Sequence, residues 1–139
     1  MYRKILVAHD GSPGGFAALT GGLDLAAKLE AEIHMISVAE IPAFPGTMDE
    51  VIEEQDEGRV RFEPVIERAK QLAAMKGLTL ETHLLPGHPV KVIANFVRER
   101  GFDLLVVGFM GHSALYNSLI GSTTDRLVNH APSAVLVIK

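Results

Sequence analysis

Leu104-Leu105-Val106-Val107-Gly108-Phe109-Met110-Gly111, followed after nine residues by Gly121-Ser122-Thr123-Thr124, is the stretch on which the reading of this chain turns. The apolar run has the character of a buried strand, and the glycines after it mark a turn. Gly121 opens a new helical pattern with hydroxyl residues in its first turn. Two glycine turns and a helix N-terminus present backbone N–H groups and a favourable dipole, which suits a polyphosphate. A lone Gly-x-x-Gly occurs in many turns. The same pair placed after a strand, at a set distance from a Gly-Ser-Thr-Thr helix start, is more specific. Ser122 and Thr123 can reach phosphate oxygens or cap the helix, the latter with Asp125 three residues on. Both uses share one geometry, so the residues alone leave the choice open.

Outward from this stretch, β-branched apolar runs alternate with helix-period segments. Ile5 to Ala8 reads as a first strand, and Ser12-Pro13 then supplies a capping residue and a proline at the first helical position. Phe16, Leu19, Leu23, Ala26 and Leu29 recur at helical spacing. Gly21-Gly22 inside that helix costs about 2 kcal/mol relative to alanine, a cost best explained by close packing on a sheet. Ile33 to Val38 is the second strand. The prolines and glycine of Ile41 to Gly46 rule out regular structure there, and the irregular connection is expected to run from Pro42 to about Gly58. Its acidic residues, Asp49, Glu50, Glu53, Glu54, Asp56 and Glu57, read as a solvated loop or helix face. Val65, Ile66, Ala69, Leu72 and Ala73 mark a second helix closed by Gly77. Leu78 to Leu85 alternates like an edge strand. Pro89 begins a third helix that ends at Gly101, Leu104 to Val107 is the fourth strand, and Ser122 to Asn129 is a fourth helix. Ala134 to Ile138 is the last strand. This alternation is the mark of an α/β fold with a parallel sheet, expected as one domain over 1–139.

Composition narrows the function. The 139 residues include no cysteine, so disulfide, zinc-thiolate and thiol chemistry are set aside. The formal net charge is −4 and no basic stripe is present, which speaks against nucleic-acid binding. The N-terminal apolar stretch is too short for a signal peptide, and no segment is a membrane span. A cytoplasmic protein is the expectation.

In an open parallel sheet a ligand sits outside the carboxyl ends of the strands, where strand order reverses. With the order 3-2-1-4-5, the first and fourth strands are neighbours there. His9-Asp10-Gly11-Ser12 then faces the Gly108 turn, and the Asp10 carboxylate can accept from ribose hydroxyls. No Gly-x-x-x-x-Gly-Lys-Ser/Thr occurs, and the Asp10–Gly15 turn lacks Gly-x-Gly-x-x-Gly. P-loop and hydride-transfer enzymes are therefore disfavoured.

These residues resemble the universal stress protein family, in its ATP-binding branch. The family pattern Gly-x-x-Gly, nine residues, Gly-Ser/Thr is met by Gly108, Gly111, Gly121 and Ser122. The opening run from Ile5 to Ser12 and the ending from Pro132 to Ile138 are similar too, so the likeness covers essentially the whole chain. The resemblance implies a Rossmann-like five-stranded parallel sheet in the order 3-2-1-4-5 with helices on both faces. It implies a homodimer paired through strand 134–138, an exposed apolar edge suited to that role. Asp10 would bind ribose, and the backbone at Ala8 and Val38 would hold adenine. The turn through Gly108, Met110, Gly111, His112 and Ser113 would wrap ribose and phosphates. Gly121, Ser122 and Thr123 would meet the β- and γ-phosphates, with Mg²⁺ or Mn²⁺ between them. Many relatives carry valine where this chain has Thr123, so a side-chain role there is open. ATP is the expected ligand, with AMP and cyclic AMP sharing its adenosine contacts.

The histidines are weighed separately. His112 either donates to a phosphate or lies at the solvent edge. His9 is expected to pack at the strand end. His34, His83, His88 and His130 show no mutual metal spacing and read as structural or exposed, so no metal ligand is assigned. No catalytic residue is assigned either. Phosphoryl transfer needs a positioned base and cationic stabilisation, whereas Arg126 lies beyond the first turn of the last helix. The expected function is an ATP-binding, dimeric, nucleotide-responsive regulatory protein of the stress response. A slow ATPase or phosphotransferase, and a dimeric interaction module working without nucleotide, are the alternatives.

Overall fold

Runs such as Ile5-Leu6-Val7 and Leu104-Leu105-Val106-Val107 are apolar on both pleat faces, and only a strand covered on both sides can bury them. The computed structural model describes residues 1–40, 48–109 and 122–139, the side chains of 48–55 excepted. The elements are β1 (Lys4–Ala8), α1 (Pro13–Leu29), β2 (Glu32–Glu40), α2 (Met48–Met75), β3 (Leu80–Gly87), α3 (Pro89–Arg100), β4 (Leu104–Gly108), α4 (Ser122–His130) and β5 (Ala134–Ile138). The five strands form one parallel sheet in the order β3-β2-β1-β4-β5, as the alternation and the resemblance led one to expect. Ile5 pairs with Ile33 on one side and with Leu104 on the other, which puts β1 at the centre with β4 beside it.

The pleat divides the core. Ile5, Val7, Leu104 and Val106 point to one face, where Leu19, Leu23 and Ala26 of α1 and Ala69 and Ala73 of α2 cover them. Leu6, Leu105 and Val107 point to the other, beneath Ile93, Phe96 and Val97 of α3 and Leu127 of α4. Ser12 begins α1 as a side-chain cap, its hydroxyl accepting the Gly15 N–H at 3.1 Å, with Pro13 in the first turn. The glycine pair within α1 is explained by contact. A Cβ on Gly22 would stand 2.6 Å from Val7 Cγ2, and one on Gly21 would stand 3.0 Å from Ile138 Cδ1.

One expectation is corrected. The connection before the second helix does not extend to Gly58, because α2 begins at Met48 and takes in the acidic stretch. Acidic residues are favoured in the opening part of a helix by its dipole, so their concentration here supports a helix and not a loop. Pro64 lies inside α2 and removes one backbone donor. Pro64 and Val60, one turn before it, are both exposed, so water can serve the freed carbonyl. Residues 41–47, where irregular structure is expected, lie outside the described residues. Among the described residues no helix is long and apolar enough to cross a membrane.

The glycine pair gives a stability test. Gly22→Ala forces a methyl group against the rigid, fully buried Val7, whereas Gly21→Ala meets only the tip of a flexible isoleucine. In urea denaturation Gly22→Ala is expected to be less stable than Gly21→Ala by about 1–3 kcal/mol, although both gain the same helix propensity. Equal midpoints for the two variants would refute this packing account.

Candidate functional site

After β1 the chain must turn out of the sheet and enter α1, and a compact set of local bonds shapes that turn. The His9 N–H donates to Ile36 O at 3.0 Å, and the Ser37 hydroxyl donates to His9 O at 2.7 Å, which ties the end of β1 to β2. Gly11 has φ +89°, a conformation costly for other residues, and its N–H donates to His9 Nδ1 at 3.0 Å. Asp10 Oδ1 accepts the Ser12 N–H at 3.0 Å and also the Ser12 hydroxyl. This orients the carboxylate before any ligand arrives. From α2, Arg61 donates to Asp10 O at 3.2 Å while its guanidinium lies 4.8 Å from the Phe62 ring centroid.

The end of β4 closes on the same place. A Cβ on Gly108 would stand 2.5 Å from Gly14 O, so only glycine lets the strand end lie against the start of α1. The buried Thr124 hydroxyl donates to Gly108 O at 2.7 Å, fastening the first turn of α4 to β4. Ser122 and Thr123, in that first turn, keep exposed side chains. Between these walls lies a cleft of about 300 Å³, at the low end of the range for small-molecule sites.

Of the residues singled out from the sequence, Ala8, Asp10, Val38, Gly108, Ser122 and Thr123 all line this one cleft. Met110, Gly111, His112, Ser113 and Gly121 lie outside the described residues. The sequence reading missed several lining residues. Ile36 and Glu40 of β2, Pro89 and Ile93 of α3, and Val107 and Leu127 enter simply because the fold puts them there. Arg61 and Phe62 were missed because the segment before Val65 was not read as helix. Ser12 and Thr124 had a signal, as hydroxyls beside the two helix starts. Arg126, considered from sequence as a cation near the phosphates, is exposed on α4 and does not line the cleft.

His9 also lines the cleft, and its electrostatics follow from burial. It is 2% exposed, and its ring meets Phe16 edge-on at 4.3 Å between centroids. Burial, partly offset by the Asp10 charge, pushes its pKa down to about 4. The bond from Gly11 uses Nδ1 as the acceptor, which assigns the proton of the neutral ring to Nε2. A second proton would set two donors against each other.

The other histidines need one correction. His88 and His130 are exposed, as expected. His34 and His83, which show no metal spacing in sequence, are brought together by the register of β2 on β3, with Glu81 beside them. Their ring nitrogens are 3.0 Å apart, and the rings stack at 5.3 Å between centroids. Burial first, then the positive charges of His34 and Arg100, lowers the His83 pKa. None of the three lines the cleft, although His83 is the register partner of Ile36, which does.

The universal stress protein family profile matches residues 1–139, the whole chain. A universal stress protein of Methanocaldococcus jannaschii is 30% identical over 145 residues, covering 100% of this chain and 83% of its own. The universal stress protein YxiE of Bacillus subtilis is 30% identical over 148 residues, covering 100% of both. Among solved structures, UspA from Lactobacillus plantarum matches with TM-score 0.90 and 28% identity, over 99% of this chain and 98% of that one. Two further solved structures share the fold. A universal stress protein in complex with cAMP matches with TM-score 0.77 and 24% identity, over 99% of this chain and 97% of that one. One from Archaeoglobus fulgidus in complex with dAMP matches with TM-score 0.68 and 23% identity, over 99% and 98%. Fold and cleft define an α/β protein with a ligand-sized crevice at the switch point of its sheet. The chain belongs to the universal stress protein family.

His9 predicts a pH effect. Between pH 6.5 and about 4 the unfolded chain binds a proton at this residue that the folded chain does not. Stability from His9 is therefore complete above pH 6.5 and lost as pH falls toward 4, by up to about 3 kcal/mol. Urea midpoints measured without nucleotide should fall over this window, and His9→Gln should fall less. Ring resonances of His9 titrating near pH 6.5 in the folded protein would contradict the assignment.

Proposed function

We propose that the cleft between the carboxyl ends of β1 and β4 binds an adenine nucleotide, ATP foremost, with Mg²⁺ or Mn²⁺ held through its phosphates. The chain then serves as a dimeric, nucleotide-responsive regulatory protein of the stress response in the cytoplasm. The observation that carries this reading is that Asp10 and the first turn of α4 line a single crevice. An ionised carboxylate accepts from ribose hydroxyls and cannot favour a phosphate. The helix N-terminus with Ser122 and Thr123 favours the phosphate and cannot replace the carboxylate. One ligand answering both has a hydroxylated sugar in the middle and an anionic end. Ile36, Val38, Ile93 and Leu127 supply the apolar lining that a base requires.

Arg61 adds a guanidinium, the group best suited to charge-assisted bonds with phosphate oxygens. The backbone at Ala8 and Val38 is the proposed adenine contact. The segment from Gly108 through Met110, Gly111, His112 and Ser113, together with Gly121, is proposed to wrap ribose and phosphates as in the family pattern. The ligands of the two nucleotide-bound relatives, cAMP and dAMP, share an adenine, a sugar and one phosphate, in keeping with this division of the cleft. The proposed work of the site is to hold the triphosphate, with slow hydrolysis the alternative.

Titration calorimetry with ATP and Mg²⁺ tests the site. Wild type is expected to bind one ATP, and Asp10→Ala is expected to weaken it about tenfold or more, a loss of about 1.4 kcal/mol or more. AMP and cyclic AMP titrated in parallel show whether the distal phosphates add affinity. No heat and no thermal shift with any of the three would overturn nucleotide binding.

The proposed dimer rests on β5. Among the described residues it pairs only with β4, and its apolar sequence leaves Leu136 36% exposed. A short apolar edge strand with an open hydrogen-bonding side is a pairing surface. Sedimentation is expected to show a dimer for wild type and a shift to monomer for Leu136→Lys. A wild-type monomer at micromolar concentration would reject it.

A further inference from the structure

We propose that His34, Glu81 and His83, none of which lines the cleft, form a binding site for a divalent transition-metal ion of the Zn²⁺ class at the β2–β3 edge. His34 and Glu81 are register partners on adjacent strands, and His83 follows Glu81 by two residues, so the pleat returns it to the same face. His34 Nδ1 is 3.0 Å from His83 Nε2 and 3.2 Å from Glu81 Oε2, and the last two atoms are 4.0 Å apart. A point about 2.0 Å from all three corners exists for a triangle with these sides, and about 2.0–2.2 Å is the Zn–N and Zn–O bond length. That point lies in the plane of the three donor atoms, and a small swing of the exposed Glu81 side chain that shortens the 4.0 Å side gives the ion a tetrahedral seat.

The surroundings prepare these atoms for coordination. His34 is 5% exposed and packs edge-on against Phe102, with ring centroids 5.0 Å apart. His83 lies against Phe96 at 4.7 Å. His34 Nε2 is 2.6 Å from Glu32 Oε2, and Lys4 Nζ stands 3.9 Å from the same carboxylate oxygen. An ionised carboxylate only accepts, so an imidazole proton belongs on Nε2, and Nδ1, between Glu81 and His83, is left to coordinate a metal once any proton there is given up. A carboxylate behind a ligating imidazole is the usual outer partner in metal sites. The proton that now lies between the two rings moves to His83 Nδ1 when the metal takes Nε2.

Donor chemistry selects the ion. Two imidazoles and one carboxylate suit Zn²⁺ and its neighbours Co²⁺, Ni²⁺ and Cu²⁺, whereas Mg²⁺ and Ca²⁺ require oxygen. The Glu81 side chain is mostly exposed, so a fourth position faces water. Bound there, the ion links edge strand β3 to β2 and stabilises the folded chain by mass action.

The test uses the full, tag-free chain after chelator treatment. Co²⁺ is expected to bind with one-to-one stoichiometry and give the intense visible bands of a tetrahedral site, which one equivalent of Zn²⁺ abolishes. Because His34 is buried and its variants risk misfolding, the diagnostic changes are His83→Gln and Glu81→Gln. Each is expected to lose the Co²⁺ bands and weaken Zn²⁺ binding about 100-fold. Glu32→Gln should keep the bands and weaken binding about 10- to 100-fold. The Zn²⁺-induced rise in melting temperature should vanish in His83→Gln, whose circular dichroism stays that of wild type. Zn²⁺ taken up equally by wild type, His83→Gln and Glu81→Gln, or not at all by wild type at micromolar metal, overturns the proposal. None of these readouts depends on nucleotide.

Discussion

No side chain separates the end of β4 from the start of α1, and much of the site's geometry follows from that contact. Gly108 lies with backbone against backbone on Gly14, so β4 ends where α1 begins. The Gly108 carbonyl, at the strand end, is taken by Thr124, and this brings the first turn of α4 to the same point. From the other side, Ile36 O and Ser37 hold His9 and thereby the loop that carries Asp10. The cleft walls are thus set by main-chain contacts and by hydroxyls bonded to main chain. Buried backbone groups left unbonded cost about 1–3 kcal/mol each, so these walls resist rearrangement more than side-chain walls would. A residue larger than glycine at 108 would push on backbone, which cannot rotate away.

How much of this was legible in the sequence depended on whether the signal was local. Ser12-Pro13, the apolar runs and Gly101 act within a few residues, and they placed the start of α1, the end of α3 and the strands. The strand order came through family resemblance, since periodicity alone does not say which strand neighbours which. Gly58 and the prolines and glycine of 41–46 pointed to a loop because each disfavours a helix locally. The sheet decided otherwise: α2 packs Ala69 and Ala73 on the core and places Phe62 at the cleft. Arg61 went with it. The pairing of His34 with His83 was invisible for the same reason, being a property of strand register across 49 residues.

His9 and His34 show one residue type in two opposite settings. Each is buried, His9 just after the end of β1 and His34 on β2, and each has a ring nitrogen bonded to a nearby group. For His9 that group is a donor, the Gly11 N–H, and burial outweighs the single carboxylate of Asp10. For His34 the groups are Glu32 and Glu81, two acceptors within 3.2 Å. What differs is the partner each ring nitrogen meets, a backbone donor for one and carboxylate acceptors for the other. Both settings meet on β2, whose later residues line the cleft and whose His34 stands among carboxylates.

The order of the strands also has a kinetic side. Asp103, just before β4, accepts the Lys4 N–H across 99 residues of sequence, and the β1–β4 pair continues from that bond. Every neighbouring strand pair in the sheet needs a crossover, and this one is the longest. Loop closure over such a span is slow to be rewarded, and topologies rich in distant pairings fold more slowly than those built from hairpins. Because the cleft sits astride β1 and β4, it cannot exist while α1, β2, α2, β3 and α3 are the only elements available to pair with β1. During synthesis the loop bearing Asp10 is made first and must wait for nearly the whole chain before its opposite wall arrives.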